Sequence, residues 1–232
     1  MTASVILYHS PEVEGEASAL APWCQLRVAT APPRVAAGHA LWLDDSGLAL
    51  IDARFNSVFR LSASMLDARS RGRSLLLQAC GVGRGRLSVL DPFAGFGLDA
   101  LQLARAGCAV TAVESHPLVW LMLDDFNNRL GADVDLLHGD GMAILQQSRA
   151  QWDVVYLDPM FDIRRKRALP NRGLQHLQAL CGPHEVDVGA CLEQALSSAA
   201  RRVVLKRRPK DPTQGAPSHQ IRGKAVRFDV YV

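Results

Sequence analysis

The apolar positions of this chain follow two rhythms, and the change between them falls at Gly81-Val82-Gly83-Arg84-Gly85. Before that stretch, short apolar runs are broken by Pro and Gly. Leu41–Leu43 and Leu48–Ile51 flank Asp44-Asp45-Ser46-Gly47, which predicts a hairpin. Residues 62–79 have helical spacing and stop at the glycines. A small N-terminal module with a hairpin and a helix is therefore expected over residues 1–85. From Arg86 onward, strands alternate with helices. Leu87–Leu90, Ala109–Val113, Val134–Leu137, Asp153–Leu157 and Val203–Lys206 read as strands. Leu98–Ala106, Pro117–Leu130, Gly141–Arg149 and Gly189–Ala200 read as helices. The strands are apolar without alternation, as strands buried on both faces are. Repeated units of this kind predict an α/β, Rossmann-like, doubly wound and mostly parallel sheet over residues 86–232. The end departs from the pattern: Gln220–Ile221 and Val226–Val232 flank Arg222-Gly223-Lys224, a C-terminal antiparallel hairpin.

Composition narrows the class. With 232 residues, 48% hydrophobic and 21% charged, the chain has the balance of a soluble globular protein. No apolar run approaches the ~20 residues that cross a bilayer. The start, MTASVILYHSPEVEGE, lacks a basic region ahead of its apolar stretch, so no secretory signal is expected. Five cysteines, an odd count with no CxxC pair, fit reduced thiols in a cytoplasmic protein. The formal net charge of +3 conceals an asymmetry. Residues 111–162 hold nine acidic and two basic side chains, whereas residues 163–232 hold fourteen basic and five acidic ones. A basic region of that kind suits an anionic partner.

Four motifs carry candidate chemistry, each at the end of a predicted strand. Asp91-Pro-Phe-Ala-Gly95-Phe-Gly97 closes the first, where Gly95 and Gly97 let backbone approach a ligand. By itself this turn also matches a dinucleotide fingerprint. A carboxylate at Asp91, however, is awkward for a pyrophosphate and useful for the ammonium of a methionine moiety. Glu114, after the second strand, can accept hydrogen bonds from two ribose hydroxyls. Asp140 can reach an adenine amino group, and it can equally cap the following helix. The fourth motif, Asp158-Pro159-Met160-Phe161, follows an apolar strand. An amine conjugated to a base ring is a poor nucleophile because its lone pair is delocalised. The Asp158 carboxylate and the Pro159 carbonyl can each accept one of its N–H groups and Phe161 can stack on the base, so catalysis comes from positioning and electrostatics.

The runs LDPFAGFGLDALQLARAGCAVTAVESHPLVWLMLDD, VVYLDPMF, RRVVLKR and RFDVYV resemble the bacterial small-subunit (16S) ribosomal RNA guanine-N2 methyltransferases of the RsmJ type, over about residues 86–232. The resemblance implies a class I methyltransferase fold, S-adenosyl-L-methionine as cofactor, and cofactor contacts at Leu98, Asp99, Glu114, Ser115, Asp140, Gly141 and Asp158. The DPMF run is reproduced intact, with Met where most amino-methyltransferases have a second Pro. The sequence departs from the family at Leu98, where an Arg is usual, and at Asp140, where a Ser-rich turn is usual. It also departs in the shortened basic stretch Arg69-Ser-Arg71-Gly-Arg73.

The resemblance points to transfer of a methyl group to the exocyclic N2 of a guanine in ribosomal RNA, by a cytoplasmic monomer acting on RNA or a ribosomal particle. Two basic clusters support a nucleic-acid partner: Arg164-Arg165-Lys166-Arg167 just after the DPMF run, and Lys206-Arg207-Arg208 at the next strand's end. No metal is expected, since His176, Cys181, His184 and Cys191 match no zinc spacing. The competing readings are an amino-methyltransferase acting on another RNA, DNA or a protein amide, and an NAD(P)-binding oxidoreductase.

Overall fold

The computed structural model describes residues 5–55, 57–70, 74–83, 85–147, 151–159, 172–182 and 186–232. Two sheets organise it. The first has five strands: β1 (Val5–His9), β2 (Cys24–Val28), β3 (His39–Asp44), β4 (Gly47–Asp52) and β5 (Ser57–Arg60), in the order β2-β1-β3-β4-β5. The β3–β4 hairpin is the one that the sequence predicts, with Asp44 paired to Gly47. Around it the chain adds strands that the apolar runs do not announce. β1 pairs in parallel with both β2 and β3, and helix α1 (Glu14–Ala19) lies in the crossover between β1 and β2.

The segment expected as one helix forms two, α2 (Ala63–Ser70) and α3 (Leu75–Cys80). Ser74 starts the second by accepting the Leu77 N–H at 3.3 Å, and Gly81 ends it at a φ of 71°. α3 packs against the second sheet.

That sheet has seven strands: β6 (Ser88–Asp91), β7 (Ala109–Glu114), β8 (Val134–His138), β9 (Trp152–Leu157), β10 (Ala199–Arg207), β11 (His219–Arg222) and β12 (Arg227–Tyr231). Their order is β11-β12-β10-β9-β6-β7-β8. Helices α4 (Leu98–Arg105), α5 (Pro117–Arg129), α6 (Gly141–Gln147), α7 (Arg172–Cys181) and α8 (Val188–Ser198) complete the chain. β6 to β10 run parallel, and β12 alone runs against them, inserted between β10 and β11. Its place is secured by a buried ion pair. Arg227 grips Asp229 through two bonds of 2.8 Å and reaches the Pro209 and Asp211 carbonyls, tying down the connection that leaves β10.

Apolar residues of both sheets share one core, which runs from Leu7 and Leu50 through Leu101 and Met122 to Val230. The chain reverses its direction of winding between β6 and β9. A crevice at such a switch point, beyond the carboxyl ends of the strands, is where open α/β sheets bind ligands.

Candidate active site

The carboxylates expected from the sequence lie along that carboxyl edge in the order of the strands. Glu114 ends β7, Asp91 ends β6, Asp158 follows β9, and Asp140 follows β8 on the outer side. Glu114 is buried and holds the glycine turn in shape. Its Oε2 accepts the Gly95 N–H at 2.9 Å and its Oε1 the His116 N–H at 2.7 Å. Burial raises its pKa, and these backbone donors partly offset that. Gly95 and Gly97 have φ values of 55° and 67°, so the turn into α4 needs glycine at both positions. Leu98 begins α4, half-buried against the core. The Ser115 carbonyl accepts from His138 Nε2 at 3.2 Å. Asp140 is exposed, and its Oδ1 accepts the Met142 N–H at 2.9 Å as α6 begins. Gly141 fits so tightly that a Cβ there would collide with the Pro92 carbonyl oxygen of the glycine turn.

The centre of the crevice is a cluster of charges. Asp91 is only 1% exposed, and its Oδ1 accepts the Phe93 N–H at 3.2 Å. Burial pushes its pKa well above the usual carboxylate range, and Asp99 and Asp158 push it further. Asp99, in the first turn of α4, accepts the Tyr156 hydroxyl at 2.7 Å and the Lys206 ammonium at 2.6 Å on the same oxygen, Oδ2. The Lys206 Nζ also donates to Asp158 Oδ2 at 2.7 Å. Burial alone would lower the Lys206 pKa, but the two carboxylates outweigh it and raise the value. Tyr156 is fully buried among the same carboxylates, and both burial and charge keep its hydroxyl protonated as a donor.

Two residues expected on a phosphate-binding rim are placed elsewhere. Lys206 turns into the crevice, where two anions attract its ammonium more strongly than solvent holds it. The Arg207 side chain is 7% exposed and lies against Asp211 at 3.8 Å and the Pro212 carbonyl at 3.3 Å. Arg208 is half-buried, with its N–H on Asp211 Oδ2. Pro159 is buried beside Asp158, while Met160, Phe161 and Arg164 to Arg167 lie outside the described residues. Among the described residues no group of three or more His, Cys, Asp or Glu could hold a metal ion, and His184 lies outside them.

The sequence reading missed Tyr156, taken as part of an apolar strand, and the inward turn of Lys206. The second follows from the register of the sheet and not from the sequence. β9 and β10 pair with Leu157 opposite Leu205, so the next residue of each strand, Asp158 and Lys206, must be neighbours.

This sheet order, with one antiparallel strand inserted near its edge and carboxylates ranked along its carboxyl end, defines a Rossmann-like, class I S-adenosylmethionine-dependent methyltransferase. A sequence family described as "Putative SAM-dependent methyltransferase" matches residues 43–232, and the chain belongs to it, in the group of the ribosomal RNA small subunit methyltransferase J proteins. It is 35% identical over 249 aligned positions to the protein of that name from Thioalkalivibrio sulfidiphilus, covering 98% of this chain and 96% of the relative. It is 42% identical over 176 positions to that from Rhodopseudomonas palustris, covering 69% and 85%. The crystal structure of a SAM-dependent methyltransferase from Neisseria gonorrhoeae superposes with a TM-score of 0.72 at 26% identity, covering 97% of this chain and 95% of that one. The cofactor is therefore S-adenosyl-L-methionine, and the oxidoreductase reading falls. The donor set fits that cofactor, with a buried acid to meet an ammonium and two further carboxylates along the edge for a ribose and an adenine.

Proposed function

We propose that this protein methylates the exocyclic N2 of a guanine in small-subunit ribosomal RNA, acting as a cytoplasmic monomer on naked RNA or a ribosomal particle. The observation that carries the reading is Asp158-Pro159 at the switch point of the sheet, next to the buried Asp91. The names of the relatives supply the RNA substrate. In this reading residues 86–232 carry the transferase and residues 1–85 form an appended module. Asp91 meets the ammonium of the cofactor, Glu114 its ribose and Asp140 its adenine. Leu98, Asp99, Ser115 and Gly141 shape the surrounding wall.

When bound, the cofactor supplies a methyl group made electrophilic by its sulfonium. Asp158 and the Pro159 carbonyl each accept one N–H of the acceptor amine, which turns its lone pair toward that methyl. The methyl leaves the electron pair of its C–S bond on sulfur, so the protein's own groups have only the amine's proton to handle. The nitrogen then carries one proton too many. That proton leaves through the Asp158 carboxylate to solvent, so a neutral secondary amine results.

The test is nucleoside mapping of small-subunit RNA from cells with and without the gene, repeated in vitro with purified protein. N2-methylguanosine should disappear from one site on deletion and return when the protein is added. Asp158→Ala should fail to restore it while still binding S-adenosylhomocysteine. An unchanged N2-methylguanosine content after deletion would overturn the assignment.

A further inference from the structure

Three carboxylates from three different elements converge on this crevice, and one ammonium lies between two of them. Asp91 comes from the end of β6, Asp99 from the first turn of α4, and Asp158 from the residue after β9. The Lys206 Nζ is 2.6 Å from Asp99 Oδ2 and 2.7 Å from Asp158 Oδ2, and the Tyr156 hydroxyl closes the array at 2.7 Å from Asp99. Like charges at such spacing favour protonation of one member of the set. A carboxyl group that has taken a proton presents a donor and a weaker acceptor, so it holds the amine N–H less firmly and cannot take up its proton.

We propose that Lys206 is a positioning residue for methyl transfer, holding Asp158 in its anionic form and fixing the plane of its carboxylate toward the acceptor amine. This inference rests on the reading that Asp158 receives that amine. A lysine suits the task because its ammonium is a compact charge with three donors, of which Asp99 and Asp158 take two. Tyr156 is the neutral member of the set and helps to fix Asp99, so Lys206 reaches Asp158 from a pinned partner. A phosphate contact is the poorer role for Lys206. Its charge is already offset by two anions, and an RNA phosphate approaching it would meet a negatively charged cluster.

The decisive comparison is among wild type, Lys206→Met and Lys206→Arg, each checked for an unchanged melting temperature. Four quantities are measured: the pH dependence of kcat, the RNA KM, the salt dependence of RNA binding, and the Asp158 carboxyl titration by carbon NMR in the free protein. Lys206→Met should lower kcat roughly tenfold to hundredfold, leave the RNA KM and salt slope unchanged, and move the acid limb and the Asp158 titration upward by about one pH unit or more. Lys206→Arg should restore much of both. A normal kcat with a salt slope reduced by about one unit would make Lys206 a phosphate ligand and overturn the proposal. An Asp158 titration that does not move in Lys206→Met would overturn it as well. The titration needs no substrate, so it still decides the role of Lys206 if small-subunit RNA proves not to be what is methylated.

Discussion

A carboxylate at the end of β6 with 1% exposure is costly to ionise, and Asp91 carries that cost with Asp99 and Asp158 adding to it. Such a group gains most from a cation that arrives with the ligand. If Asp91 meets the cofactor's ammonium, it must bind as the anion, and the fraction that is protonated in the free protein releases its proton on binding. Affinity for S-adenosylhomocysteine should therefore fall as pH is lowered through the raised Asp91 pKa and level off above it. Calorimetry in buffers of different ionisation enthalpy should register that proton. Asp91→Asn should abolish the proton release and weaken binding by about 1.5–3 kcal/mol, the scale of hydrogen bonds to charged groups. Binding without proton exchange in the wild type would place the ammonium elsewhere. Asp91, Glu114, Asp140 and Asp158 were legible because each ends a strand, and a strand end in a doubly wound sheet faces the ligand crevice. Tyr156 and Lys206 were not, because an apolar strand does not say which of its side chains reaches across to a neighbouring helix.

At the scale of elements, the glycine turn and the start of α6 are built against each other. A Cβ on Gly141 would strike the Pro92 carbonyl, which is backbone and cannot swing away. Gly139, two residues earlier, has open space around its Cβ position. Gly141→Ala should accordingly cost about 1–3 kcal/mol of stability by overpacking and loosen cofactor binding, while Gly139→Ala should change neither, as urea unfolding and calorimetry would show. A second junction joins α7 to the first sheet. His176 Nδ1 lies 3.0 Å from the fully buried Asp52, which also takes the Arg54 guanidinium at 2.7 Å, and Phe59 stacks between His176 and Phe96 of the glycine turn. Burial opposes the Asp52 charge, but hydrogen bonds from Arg54 and His176 and the nearby His39 hold its pKa below the usual range. Burial likewise lowers the His176 pKa from 6.5. Both shifts make the unfolded chain the stronger proton binder, so stability should decline as pH falls below about 6.5 and fall further as Asp52 protonates. Asp52→Ala should cost about 1.5–3 kcal/mol at pH 7 and speed hydrogen exchange within α7; it should remove the loss of stability that follows Asp52 protonation but keep the loss below about pH 6.5 that belongs to the buried His176. The parallel elements were legible from their buried apolar runs. β1, β2 and α7 went unread: β2 is a largely exposed edge strand, and the helical apolar spacing of α7, at Leu174, Leu177 and Cys181, is short and was passed over.

Across the whole molecule, the basic excess beyond residue 163 divides into two populations. Arg227 is paired with Asp229, Arg207 lies against Asp211, and Lys206 bridges Asp99 and Asp158, so these cations are engaged within the fold and the site. Lys210, Arg222 and Lys224 remain exposed. Sequence counting could see the excess but not this division, because pairing is set by which strand ends meet. The first candidates for RNA are therefore the exposed residues and Arg164, Arg165, Lys166 and Arg167, which follow Asp158 closely in the sequence. Phosphate contacts release counterions, so RNA affinity should fall steeply with salt, each contact contributing about 0.7–0.9 to the log–log slope. Replacing Arg164 and Arg165 with Ala should raise the RNA KM, flatten that slope by about one to two units and leave S-adenosylhomocysteine affinity unchanged, since no cofactor contact is assigned to them. A solvated loop predicts no change in either RNA quantity. If the double variant keeps wild-type RNA affinity and salt slope, the RNA surface moves to Arg69, Arg71 and Arg73. Silence there too would favour an amine substrate that is not a nucleic acid.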